Sequence, residues 1–166
     1  MRRSWIGALA IVFVGAGSGA CSGGASEPPP SSEPPPTSAA PAAEARAVWD
    51  EPSFELRSDA PGPYAAGSEG HFTIRLTPRG NYHVNQDYPL SITLTGPAGV
   101  TFPHPTVTAD QAQTMTEQLA SFDVPFTAGA AGTQHVTALV DFAVCTPENC
   151  IPDERTLAVV LPARAN

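Results

Sequence analysis

The chain is 166 residues long and sets 8 positive side chains against 16 Asp and Glu, a formal charge of −8 from only 14% charged residues. All 8 positive residues are arginine, and a mature chain without Arg2 and Arg3 would hold 6 against 16, or −10. This excludes a broad basic face for nucleic acid and predicts repulsion from acidic lipid and phosphate surfaces. The apolar share of 42% fits one small globular domain, but 19 prolines and 14 glycines require some unstructured chain beside it.

In chain order, Arg2 and Arg3 precede Trp5 to Val14, ten residues of which only Gly7 is not apolar, and Gly15 to Ala20 are all small. This is the layout of a secretory signal peptide, 1–20. A spanning helix needs about 20 apolar residues, and the glycines at 15, 17 and 19 interrupt the run, so permanent insertion is the weaker reading. Ser18-Gly19-Ala20-Cys21 resembles a bacterial lipobox, in which Cys21 becomes the lipidated first residue of the mature chain. Ser18 stands where a large aliphatic residue is usual, and the same small residues would suit an ordinary signal peptidase. Ser22 to Glu44 then holds 7 prolines and a doubled Ser-Glu-Pro-Pro-Pro, with no core-forming residues. Residues 21–45 are therefore expected to be a polyproline II or disordered tether, able to hold a domain up to roughly 70 Å from a membrane at ~3 Å per residue.

The folded part is expected over 46–166, where the apolar period is two. Phe54 and Leu56 suggest an opening strand. Phe72, Ile74 and Leu76 alternate with polar residues, as do Tyr88, Leu90, Ile92 and Leu94; Ala120, Phe122, Val124 and Phe126 share one face of a later strand. Val136, Ala138, Val140, Phe142 and Val144 do the same, and Leu157, Val159 and Leu161 close the series. Clusters such as Ala60-Pro61-Gly62-Pro63, Pro78-Arg79-Gly80-Asn81 and Gly96-Pro97-Ala98-Gly99 separate the runs as turns. Six or seven short strands without an amphipathic crossover helix predict an all-β, immunoglobulin-like antiparallel β-sandwich. Ala109 to Gln118 reads as either a short helical turn or a long loop.

With Cys21 acylated, Cys145 and Cys150 remain, and an oxidising exported compartment should pair them. Thr146-Pro147-Glu148-Asn149 reads as the turn that brings them together. A ring of about 6 residues yields only about 2 kcal/mol of chain-entropy stabilisation, against about 4.7 for a loop of ~100, so the placement is a poor staple for a sandwich. On regular alternation Cys145 faces away from Val140, Phe142 and Val144, where a partner would reach it. On composition alone, a plain structural disulfide and a chemically active one both remain open.

The run Phe142-Ala143-Val144-Cys145-Thr146-Pro147-Glu148-Asn149-Cys150-Ile151-Pro152 resembles the cysteine hairpin of the DsbD N-terminal (alpha) domain family, and Gly80-Asn81-Tyr82-His83-Val84-Asn85 resembles an upstream segment of the same family. The match covers roughly Arg46 to Ala163. It implies a periplasm-facing domain of the bacterial envelope whose catalytic cysteines, Cys145 and Cys150, relay electrons by thiol–disulfide exchange. The implied partners are a membrane thiol transporter or thioredoxin-like protein on one side and oxidised periplasmic proteins on the other. It also implies that Cys150 is the sulfur attacked and Cys145 the resolving thiol. The family's cap loop corresponds to Ala109 to Glu117, which offers Met115 and no aromatic. The alternative reading is a lipid-tethered β-sandwich adaptor whose disulfide is inert.

No cofactor-binding motif and no nucleic-acid signature is present. His71, His83, His104 and His135 are scattered without metal-ligand spacing, and His83 is read as a structural hydrogen-bonding residue. There is no Gly-x-Ser-x-Gly, P-loop or His-Glu-x-x-His, so hydrolase chemistry has no foothold. Near the cysteines stand Asp141, Glu148, Asp153 and Glu154, with Arg155 the one neighbouring cation, a field that disfavours a thiolate and makes the domain a slow attacker by itself.

Overall fold

The computed structural model describes residues 44–166. The expected signal peptide, Cys21 and the expected tether up to residue 43 lie outside the described residues. Alternating apolar residues form the strands as expected, and thirteen extended segments share two sheets. In the first sheet the order is β1 (Ala45–Arg46), β13 (Cys150–Arg164), β12 (Gly132–Cys145), β7 (Ser91–Thr95) and β9 (Thr106–Thr108); β4 (Tyr64–Ala65) adds to β13 and β6 (His83–Val84) adds to β12. The second sheet runs β10 (Thr114–Thr116), β11 (Leu119–Ala128), β5 (Glu69–Pro78), β3 (Phe54–Asp59) and β2 (Val48–Asp50), with β8 (Val100–Thr101) on β11. Apart from parallel pairings of β1 and β4 with β13, the ladders are antiparallel. The domain is an all-β, immunoglobulin-like antiparallel β-sandwich.

The core lies between the sheets, where the period-two residues meet. Leu56, Val124, Phe126, Ala138, Phe142, Leu157 and Leu161 are fully buried. Phe54 and Phe142 meet edge to face across the sandwich at 4.8 Å between centroids, a favoured aromatic geometry. Trp49 pins the start of the domain to β13: its Nε1 donates to the Thr156 carbonyl at 2.9 Å, and the guanidinium groups of Arg46 and Arg155 lie 4.5 and 4.9 Å from its ring centroid. Proline finds places where no ladder hydrogen bond is lost. Pro125 lies in β11 where that strand's second edge is free, between the stretches paired to β10 and to β8.

Three sequence expectations are adjusted. The strand expected from Tyr88 begins only at Ser91, because Pro89 has no N–H for a ladder and the Leu90 N–H turns back onto the Tyr88 carbonyl at 2.7 Å. The ambiguous Ala109 to Gln118 stretch resolves into a 3-10 turn over Ala109–Gln111 followed by β10. Several two- and three-residue strands raise the number of extended segments above six or seven, because such short edge pairings carry too few residues to show a period.

Candidate functional site

β12 and β13 form the longest hairpin, in continuous register from Gly132 opposite Ala163 to Cys145 opposite Cys150. Its tip is closed by Thr146. The Thr146 N–H donates to the Asn149 carbonyl at 2.7 Å, while the N–H groups of Glu148 and Asn149 donate to Thr146 Oγ1 at 3.3 and 3.1 Å. Because 146 and 149 are hydrogen-bonded, alternation makes 145 and 150 a non-hydrogen-bonded pair, the position at which opposed side chains approach most closely. Their Cα atoms are 4.0 Å apart and the sulfurs are bonded. The same alternation puts Pro152 (opposite Ala143) and Pro162 (opposite Thr133) at positions where the β12 ladder asks for no N–H from β13.

The two sulfurs are unequal. Cys150 is exposed, whereas Cys145 is only 3% exposed. This corrects the expectation that a partner would reach Cys145. Its side chain does point away from the core face, on the side of Asp141 and Ala143, but that side is covered at the end of β12. β7 leaves β12 at Ser91 opposite Asp141, and β6 takes its place, with Val84 opposite Val144 and His83 opposite Cys145.

The segment that does this is built locally. β5 ends at Pro78, and Gly80 takes the left-handed conformation (φ 62°) that turns the chain back, with the Tyr82 N–H donating to the Arg79 carbonyl at 3.1 Å. Val84 enters the core. Its N–H donates to the Glu117 carbonyl at 2.8 Å and the Asn85 N–H to the Ala143 carbonyl at 3.0 Å, so the segment is tied to both sheets. Asn85 Oδ1 accepts the Asp87 N–H at 3.0 Å. That bond turns the amide nitrogen across β12 to 3.9 Å from Cys150 Sγ. A cleft of about 320 Å³ lined by His83, Val84, Asn85, Gln86, Asp87 and Glu117 opens here.

Arg155, the cation nearest in sequence, is turned to the other face, where it pairs with Asp153 at 3.0 Å and stacks on Trp49. It does not serve the sulfurs. Met115, from the expected cap region, packs against the core; that region's approach to the site is the Glu117 carbonyl and side chain. Tyr88 rises above its ordinary pKa, first through its hydrogen bond to Asp141 and then through burial and the Asp141 charge. The histidines do not converge. His71 lies on the outer face of the second sheet with Nδ1 2.8 Å from Asp123 and Nε2 3.3 Å from Glu69, and His104 and His135 are exposed. Among the described residues no group of three or more His, Cys, Asp or Glu side chains is disposed to hold a metal ion.

Sequence reasoning placed Cys145 and Cys150 together but did not recognise His83 and Asn85 as their neighbours. The available signal was the Gly80 to Asn85 motif, which supported the family resemblance without any role being carried over.

No family model and no curated protein matches this chain. Solved structures similar to it include the GAE domain of GGA2p from Saccharomyces cerevisiae, 14% identical over 71% of this chain and 98% of that one, with a TM-score of 0.45. AggA, the major subunit of aggregative adherence fimbriae type I from Escherichia coli, is 12% identical over 70% of this chain and 98% of that one, TM-score 0.34. The ASH/PapD-like domain 7 of human CEP192 is 10% identical over 76% of this chain and 96% of that one, TM-score 0.37.

Proposed function

We propose that this is a thiol–disulfide exchange domain of the bacterial envelope, tethered through a lipidated Cys21, that relays electrons through Cys145 and Cys150. Its partners on this reading are a membrane thiol transporter or thioredoxin-like protein and oxidised periplasmic proteins. The observation that carries the reading is the asymmetry of the pair: an exposed Cys150 at a hairpin tip bonded to a covered Cys145. Exchange proceeds by attack of a thiolate on one sulfur, with the other departing. A partner thiolate that reduces the domain meets Cys150 and Cys145 departs; when reduced Cys150 has in turn attacked an oxidised protein, Cys145 resolves the mixed disulfide. The resemblance of both the cysteine hairpin and the Gly80 to Asn85 segment to the DsbD N-terminal family supports the same assignment.

Trapping tests it. Cys145→Ser should accumulate a covalent complex with a thioredoxin-like partner from envelope extracts, and Cys150→Ser should form none. The inert-adaptor reading draws on the burial of Cys145. It would prevail if neither variant trapped a partner and the native bond equilibrated with a thioredoxin or glutathione couple well below about −300 mV, the range of structural disulfides.

A further inference from the structure

Across the hairpin tip, three neighbouring strands set three residues in one row: His83 on β6, Cys145 on β12 and Cys150 on β13. Directly opposed residues on adjacent antiparallel strands point to the same side, with Cβ atoms about 4.5–5.5 Å apart. The His83 imidazole therefore shares the outer side of the sheet with the Cys145 sulfur, on the adjoining strand. The ring is half-buried, lines the cleft beside the pair, and has no side-chain hydrogen-bond partner among the described residues. The structural hydrogen bond expected of His83 from sequence is not what it makes.

We propose that His83 is the proton donor and acceptor for the Cys145 sulfur during exchange. This rests on the exchange reading and assigns a residue within it. A partner dithiol supplies the electrons. Its thiolate attacks Cys150 Sγ, a new intermolecular S–S bond forms, the Cys145–Cys150 bond breaks, and its electron pair leaves on Cys145 Sγ. Imidazolium at His83 gives its proton to that sulfur. The partner's second thiol then cleaves the mixed disulfide, releasing Cys150 as a thiol and the partner as its disulfide. In the reverse direction neutral His83 takes the proton from Cys145 as it attacks. Burial makes this assistance necessary, because a buried thiolate lacks water to solvate it. The charged groups facing the row are Asp87 and Glu117 in the cleft, Glu148 in the turn, Asp141 on β12 and Glu154 on β13, all carboxylates, and Arg155 is turned away. None of them can supply positive charge to the departing sulfur.

The test is the rate at which dithiothreitol reduces the Cys145–Cys150 bond of the oxidised full chain, compared at each pH between the unaltered chain and His83→Gln so that the reductant's own thiolate fraction cancels. The unaltered chain should react at least about ten-fold faster on the acid side, a conservative floor below what positioned proton transfer typically contributes, and the ratio should fall toward one on the alkaline side. A ratio of one, or one that does not change with pH, overturns the proposal. If His83→Gln does not fold, the thiolate-corrected profile of the unaltered chain decides: a rate that falls as the pH rises is expected, and a flat profile refutes it. Failure of the exchange reading looks different, since the unaltered chain would then resist reduction at every pH.

Discussion

The proposed electron relay requires the domain to stay folded in both redox states, which is tested by reducing Cys145–Cys150 in the full chain and following its thermal unfolding. The bond closes a ring of six residues, its cysteines five apart in sequence. The chain-entropy relation assigns such a ring about 2 kcal/mol, small beside the roughly 5–15 kcal/mol of a typical domain. What holds the hairpin without it is visible: the ladder runs on from Val144 opposite Ile151 to Gly132 opposite Ala163, and Thr146 closes the turn with backbone and hydroxyl bonds. For a domain of this size about 1 kcal/mol moves the midpoint by roughly 3–5 °C, so reduction should lower Tm by about 6–10 °C. Circular dichroism should keep its β signal at 25 °C before and after reductant, with the midpoint read from the same instrument. Loss of the β signal on reduction would show that the bond is a structural requirement. A midpoint that did not move would show that ring entropy is the wrong account of what the bond contributes.

Phe142→Ala removes a fully buried ring stacked edge to face on Phe54; denaturant titration should show a loss of about 3–5 kcal/mol. The Tyr88 phenol, raised by its bond to Asp141, should ionise above pH 10, and Asp141→Asn should bring it back toward the ordinary value in an ultraviolet titration. Since the folded pKa is the higher one, the stabilisation from this bond is present below pH 10 and is lost as the pH rises through the folded value. Mature protein should begin at Cys21 with an acyl group detectable by mass spectrometry and should partition into detergent, and Cys21→Ala should release a soluble form.

The strands and their inward faces were legible in the chain, because a half-buried strand has to alternate and every second residue of 72–76, 120–126, 136–144 and 157–161, counted from the first, is apolar and buried. The pairing of Cys145 with Cys150 was legible too, since a turn of four residues is a local event. Alternation also assigned Cys145 the correct side of its strand, yet not its burial. Whether a side at a strand's end is open depends on which distant segment docks there, and here that segment is the turn after β5, brought to Cys145 by Gly80 and held by the carbonyls of Glu117 and Ala143. The same holds for charge. Arg155 is five residues from Cys150 and of the opposite strand parity, so the pleat sends it to Trp49, while His83, remote in the chain, stands opposite the sulfur. Period and turn chemistry are written in neighbouring residues; the row formed by His83, Cys145 and Cys150 exists only once the sheet has closed, because its members are joined by hydrogen bonds between strands and not by the order of the chain.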